Sequence, residues 1–315
     1  MSFKLLKLNI YLEALDVIEL PPYKGSVLRG AFGNTFRKTV CVAKSPTCSS
    51  CILMDKCVYS YAFETPLVEK SEIFKNYSNV PHPFVLDPPV DSTLIYRPGK
   101  IFRMGLTLIG DDAIDRLSFF LFAIIKMGDM GIGRLRGKFR MISAITVDCN
   151  DNEAEIVYEN GELKSFSTFL TIDHAMKKAS EFNSDRITLD FITPLRIKHK
   201  GRLINKPEFD ILFRNALRRL TSLAYFHCGI EKPSFYDDVK LADNVTIQEN
   251  KTYWQDWSRY SARQKTRMKL GGLMGEVTYK GKKEDINKLK PYIILCSWIN
   301  LGKGTVFGLG KINFF

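Results

Sequence analysis

The sequence predicts an α+β protein built from two tandem ferredoxin-like domains, each ending in a glycine-rich loop and a strand. Three observations carry that expectation. The N-terminal residues alternate between apolar and polar as a strand does. Strand-type and helix-type patterns then succeed one another in the order strand, helix, strand, helix, strand, with loops inserted. Finally, the stretch LGKGTVFGLGKINFF at 301–315 has a weaker copy in mid-chain, KMGDMGIGRLRGKFRMISAI. Each copy follows an apolar helix and runs into a strand, with Gly128 and Gly302 where a helix C-terminus favours a left-handed residue. Helix-to-strand turns favour glycine for their own sake, so the recurrence matters more than either copy alone. It divides the 315 residues into 1–148 and 186–315, joined by a connecting segment, 149–185, and each half is long enough for its own core.

In the first half, MSFKLLKLNIYLEAL keeps Lys4, Lys7 and Glu13 inside its apolar alternation, as expected of a strand and not of a secretory signal. Pro21-Pro22 breaks the chain. Gly25-Ser26 opens a helix with Leu28, Ala31, Phe32, Phe36 and Val40 at helical spacing, and Arg29, Arg37 and Lys38 fall on its other side, as a solvated face or as contacts to an anion. Cys41, Cys48, Cys51 and Cys57 follow within seventeen residues too polar to form a core. Such a loop can be tied down by structural zinc on four thiolates, with an iron–sulfur cluster as the alternative and incidental thiols as the plain one. From 62 to 98 the chain reads as irregular, and His82 between Pro81 and Pro83 is exposed enough for chemistry or is an ordinary loop residue. The strand IFRMGLTLIG, a helix capped by Asp111-Asp112 and running through Met127, the turn carrying Gly131, Gly133, Arg134 and Arg136, and a strand from Lys138 to Val147 complete the half. Residues 149–185 are acidic and read as a connection or peripheral hairpin.

The second half opens on a strand with Ile187, Leu189 and Phe191. LRIKHKGRLINK then brings Arg196, Lys198, Lys200, Arg202 and Lys206 without an acid. These cations would draw a phosphate to His199, whose neutral imidazole can take a proton; the plain alternative is a histidine in a solvated basic loop. A helix from Pro207 to Cys228 buries a stripe from Phe209 to Ala224, on which His227 reads as a core histidine. In KTYWQDWSRYSARQKTRMK, Tyr253, Trp254, Trp257 and Tyr260 interleave with Arg259, Arg263, Lys265, Arg267 and Lys269. Aromatic faces stack on unpaired bases while cations neutralise phosphates; the alternative is an aromatic edge packed on the core. The strand LMGEVTYKG and a helix from Pro291 to Leu301 lead to the final loop. Its Gly302, Gly304, Gly308 and Gly310 allow positive φ and close approach of backbone N–H groups to a phosphate, with Lys303 and Lys311 beside them. The spacing fits neither a P-loop nor a dinucleotide fingerprint.

A formal charge of +12 and a pI near 9.3 point to an anionic partner, nucleic acid first. A membrane is not expected, because no apolar run reaches spanning length and no amphipathic segment gathers the charge. Seven cysteines without a secretory signal imply a reducing, cytoplasmic setting.

Taken together, PLRIKHKGR, ALRRLTSLAYFHCG, WSRYSARQKTRMKLGGLMGEVTY and LGKGTVFGLGKI resemble the CRISPR-associated precursor crRNA-processing endoribonucleases of the RAMP superfamily. VLRGAFGNTFRKTVC and the cysteines after it resemble the cysteine-bearing branch. The resemblance implies two ferredoxin-like, RRM-like domains and glycine loops that help bind RNA. It also implies cleavage of CRISPR repeat RNA by 2′-OH attack, needing no cofactor and leaving a 2′,3′-cyclic phosphate and a 5′-OH. Better-known members place a catalytic histidine after the first helix, whereas residues 33–60 hold none here, so the catalytic set does not transfer. We therefore expect His199 and Tyr260 as acid–base groups with Lys198 and Lys265 stabilising the phosphorane, and His82 and Tyr23 in reserve. RNA contacts are expected from Arg29, Arg37, Gly131, Gly133, Arg134, Arg136, Lys200, Arg202, Trp257, Arg259, Arg263, Gly302, Lys303, Gly304, Gly308 and Gly310. The alternative is a non-catalytic RAMP subunit holding crRNA in an effector complex, and the sequence leaves homodimerisation open.

Overall fold

The computed structural model describes residues 3–65, 80–231, 238–261 and 266–315, with the backbone alone at 258–261 and 266–269. The first half runs β1 (Leu5–Ala14), β2 (Ile18–Glu19), α1 (Gly25–Val40), α2 (Val58–Phe63), β3 (Phe84–Asp87), β4 (Ile95–Tyr96), β5 (Ile101–Ile109), α3 (Asp111–Asp115), α4 (Leu117–Met130), β6 (Phe139–Val147), β7 (Glu153–Glu159) and β8 (Glu162–Leu163). Its sheet has the order β3-β5-β1-β6-β7-β8, antiparallel throughout. The alternation in β1 buries Leu6, Leu8, Ile10 and Leu12 against α1 and α4, where Leu28, Phe32 and Phe36, four residues apart, form the buried stripe of α1. Phe32 packs edge-on to Phe84 with ring centroids 5.8 Å apart, and Phe36 to Phe120 at 5.1 Å. Each such ring contributes roughly 1.5–3 kcal/mol by leaving water.

The connecting segment forms the peripheral hairpin that was one of its two expected readings and adds a helix that was not expected. It supplies the edge hairpin β7–β8 of the first sheet and α5 (Ile172–Glu181), whose Ala175 and Ala179 are buried in the second core. The second half continues with β9 (Arg186–Leu195), β10 (Lys198–His199), β11 (Arg202–Leu203), α6 (Phe209–His227), α7 (Val239–Ala242), β12 (Thr246–Asn250), β13 (Tyr253–Gln255), β14 (Ser258–Ser261), β15 (Thr266–Lys269), β16 (Gly272–Lys280), α8 (Lys283–Ile299) and β17 (Ile312–Phe314). Its sheet order is β12-β16-β9-β17. Strand for strand this repeats β3-β5-β1-β6, so both halves have the ferredoxin-like arrangement, with the first and third strands central.

One helix starts earlier than expected. α8 begins at Lys283 and carries Pro291 inside it, because Ile286 and Leu289 are already buried and Glu284 and Asp285 suit the positive end of the helix. The Lys290 ammonium is buried there and donates to the carbonyls of Phe182 and Ser184. The two cores meet: Phe3, Leu5 and Ile109 of the first half, with Leu170 of the connecting segment, belong to the cluster of the second. Among the described residues, no helix is long and apolar enough to cross a membrane.

Candidate nucleic-acid interface

Directly after β9 the chain makes a small hairpin. Lys200 (φ 47°) and Gly201 (φ 82°) are both left-handed and join β10 to β11 in the two-residue turn that matches strand twist. His199 pairs with Arg202 across it, and Lys198 with Leu203. Lys198, His199, Lys200 and Arg202 are all exposed. The final glycine loop is bonded to the same segment: Gly302 bridges to Arg196, and the Lys303 N–H donates to the Arg196 carbonyl at 2.8 Å. Partial burial lowers the pKa of the Lys303 ammonium, and the charges of Lys198, Arg218 and Arg196 lower it further. Cations from the end of β9, the hairpin, α6 and the loop thus crowd one another, and a polyanion relieves that repulsion.

A second basic region behaves differently. Between the two sheets lies a cleft of ≈ 640 Å³ lined by Lys7, Lys178 and Lys311 together with Asp87 and Asp151. Its lysines are paired, Lys7 with Asp151 at 2.6 Å and Lys311 with Asp87 at 3.0 Å, while Arg103 lines the same cleft.

The glycine loop itself is packed, not open. A Cβ on Gly308 would collide with Pro88, and one on Gly310 with the Leu301 carbonyl. The N–H groups of Lys303, Phe307, Gly308, Leu309 and Gly310 all donate to backbone carbonyls, and that of Lys311 donates to Thr193 Oγ1. What this loop offers a phosphate is chiefly the Lys303 side chain. Gly302 and Gly304 are half-buried. The loop also seals the two halves together. Asp87 of β3 accepts from Asn300 Nδ2 and Lys311 Nζ, each at 3.0 Å, and although burial raises the Asp87 pKa, Lys311 and Asn300 outweigh it and hold the carboxyl below its usual range.

The remaining candidates are scattered. Tyr23 is buried, donates its hydroxyl to the Phe307 carbonyl and stacks on Trp257 with centroids 4.3 Å apart. That pair is a pin between the halves, so neither ring is an open platform. His82 packs on Phe84 and Phe63, and burial, then the Arg29 charge, lowers its pKa to about 4. His227 is buried in α6 as expected, its Nε2 2.6 Å from the Pro81 carbonyl, and burial likewise lowers its pKa to about 4. Arg29 lies over the rings of Phe63 and Phe307, and Arg37 donates to the Ser45 and Pro46 carbonyls. In the mid-chain turn Gly131 and Gly133 have positive φ against Arg136 and Glu19 backbone, Arg134 bonds Glu19, and Arg136 is exposed. Tyr260 and Arg259 lie in β14, where the backbone alone is described, and Arg263 and Lys265 lie outside the described residues.

All four cysteines of 41–57 are half-buried free thiols. Among the described residues, no three Cys, His, Asp or Glu side chains converge into a metal-binding group. The sequence reading gave no site role to Arg218, off the buried stripe of its helix, or to Asp256, the one acid of the aromatic-basic stretch. Arg218 sits beside Arg219 on α6, and spacing alone cannot tell the exposed Arg218 from Arg219, whose guanidinium donates inward to the Ile299 and Asn300 carbonyls.

Comparison with known proteins matches both halves. Residues 3–169, over half of the chain, fit a family model described as an N-terminal domain, and residues 189–312 fit that of the CRISPR-associated endoribonuclease Cas6. An uncharacterized protein of Archaeoglobus fulgidus is 25% identical over 98% of both chains. Among solved structures, a Cas6 product complex superposes with a TM-score of 0.58 at 15% identity, covering 99% of this chain and 100% of that one. The Thermus thermophilus Cas6 superposes at 0.56 and 12%, covering 100% of each. At such identities these structures speak for the fold, which is the paired ferredoxin-like arrangement seen here. Residues 189–312 thus match the CRISPR-associated endoribonuclease Cas6 family, residues 3–169 match a family of N-terminal domains, and the paired fold is shared with Cas6 structures along the whole length.

Proposed function

We propose that this protein is a metal-independent endoribonuclease that cleaves precursor crRNA within its repeat. The observation that carries the reading is the hairpin that presents Lys198, His199, Lys200 and Arg202 to solvent next to the exposed Lys303, whose N–H is bonded to the Arg196 carbonyl. In this chemistry a base takes the proton of a ribose 2′-OH and the oxygen attacks the adjacent phosphorus. An acid protonates the leaving 5′-oxygen, which leaves a 2′,3′-cyclic phosphate and a 5′-OH. Lys198 and Lys200, which flank His199 in sequence on the hairpin, would stabilise the charge that builds on the phosphorane. The deciding experiment is incubation of purified protein with labelled repeat RNA in EDTA, with the cut and its ends mapped. One cut bearing a cyclic phosphate supports the proposal.

Tight binding without cleavage would instead favour an RNA-holding RAMP subunit of an effector complex. That reading has its own observation: burial lowers the pKa of His82 and His227 to about 4 and residues 33–60 hold no histidine, so few imidazoles are left for acid–base work. Either way, Lys303→Glu is expected to weaken repeat binding by about 10- to 100-fold, the worth of one charged hydrogen bond. It should also lower the slope of log K against log salt by about 1. Equal affinity in filter binding across a salt series would remove Lys303 from the interface.

Structural zinc in the cysteine segment is a proposal of its own. Between 41 and 57 no residue is buried, Val42 and Ile52 point to solvent at 79% and 97% exposure, and the cysteines are among the few side chains turned inward. The segment thus has no other core, although its thiols are not drawn together here. Elemental analysis is expected to give about one zinc per chain, the stoichiometry of a four-thiolate site. Protein free of zinc and iron, folded and binding RNA, would end the metal reading.

A further inference from the structure

Of the three tryptophans in the chain, Trp298 is buried, Trp257 is stacked on Tyr23, and Trp254 remains 43% exposed in β13. An exposed indole would ordinarily be free to turn. This one is held: its Nε1–H donates to Asp256 Oδ1 at 3.1 Å, and the ring edge lies against Gly271, where a Cβ would collide with the Asp256 carboxylate and the indole together. The support leads on to the cation cluster. The Gly271 carbonyl accepts Arg196 Nη1–H at 2.6 Å, the Asp256 carboxylate favours the charged form of that partly desolvated guanidinium, and the Arg196 charge is one of those felt by Lys303. Trp254 is thus a fixed, water-facing aromatic plate joined through two residues to the anion site.

We infer that Trp254 is the stacking platform for an unpaired nucleobase flanking the phosphate held at Lys303, and that Asp256 is the positioning residue that keeps its ring edge anchored. The inference rests on the RNA-binding reading above. A π-face suits any base, so the platform would add affinity for single-stranded RNA without reading sequence, and purines, with the larger face, would gain most. Gly271 is what lets the indole and the Arg196 guanidinium share one support; a side chain there would separate them. The sequence reading had offered Tyr253, Trp254, Trp257 and Tyr260 alike for stacking, and the fold commits the Trp257 ring to the seam.

The test titrates the full-length protein with oligoadenylate and oligouridylate of about ten nucleotides, a length on the scale of single-strand sites. The readouts are tryptophan fluorescence and filter binding over a salt series. Oligoadenylate is expected to quench the wild-type emission. Trp254→Leu should lose that quenching and bind roughly 10- to 100-fold more weakly, with the salt slope unchanged because no phosphate contact is lost. Trp254→Phe, which keeps a π-face, should recover most of the affinity, and Asp256→Asn should weaken binding less than Trp254→Leu does. Trp254→Leu binding like wild type while Lys303→Glu fails would overturn the platform and leave the RNA site standing. Wild-type protein binding neither the oligonucleotides nor repeat RNA would overturn both.

Discussion

His199→Ala is expected to slow repeat cleavage by ~10²–10⁴-fold, the usual contribution of a positioned acid–base group, while repeat affinity and melting temperature stay at parental values. The hairpin makes that separation possible. Its turn is fixed by the left-handed pair Lys200 and Gly201, so the imidazole can be removed without altering the backbone that presents Lys198 and Arg202. His199 is exposed and buries no surface that the fold depends on. A measurement under single-turnover conditions isolates the chemical step from product release. A variant that cleaves at the parental rate would exclude His199. Tyr23 would be a poor replacement, since its hydroxyl is already committed to the Phe307 carbonyl.

The second large effect is structural. Gly310→Ala is expected to destabilise the protein by about 2–5 kcal/mol, from about 1–2 for a left-handed alanine together with about 1–3 for forcing a methyl into a packed site. Gly310 has φ 69°, and its added Cβ would meet the carbonyl of Leu301, whose own N–H donates back to the Gly310 carbonyl at 2.8 Å. Backbone cannot turn aside as a side chain can. Gly201 supplies the contrast: it is equally left-handed at φ 82°, but nothing lies within 4 Å of the site of its Cβ. Gly201→Ala should therefore cost only the left-handed part, about 1–2 kcal/mol. Thermal unfolding of the two variants side by side measures the difference, and equal losses would show that the packing of the final loop contributes little.

The fold was legible in this sequence because each half writes its core in the period of its own elements. Leu6 to Leu12 alternate and Leu28, Phe32 and Phe36 recur every fourth residue, and both patterns fold as they read. α5 was missed because its buried residues are two alanines, too small to stand out in an acidic stretch, and the start of α8 was missed because Pro291 looks like a beginning. The site was less legible. Basic residues can be counted in a sequence, but which of them are already spent cannot. Lys311 looked like Lys303 until the fold set Asp87 against one and Arg218 and Arg196 near the other. Trp257 and Trp254, three residues apart, were separated in the same way by Tyr23 and Asp256.

The seam made by the final loop also bears on how the molecule assembles. Asn300 and Lys311 reach Asp87 across 213 and 224 residues, and Phe307 reaches Tyr23 across 284. Contacts so distant in sequence come late, since the entropy of closing the loop must be met before any of them forms. Each half can gather around its own apolar stripes much sooner. Lys303 takes its place beside the hairpin through this same loop, so the anion site would be among the last features to mature. A partly folded chain, with both cores formed and the loop undocked, would then carry the full positive charge and yet grip RNA only loosely.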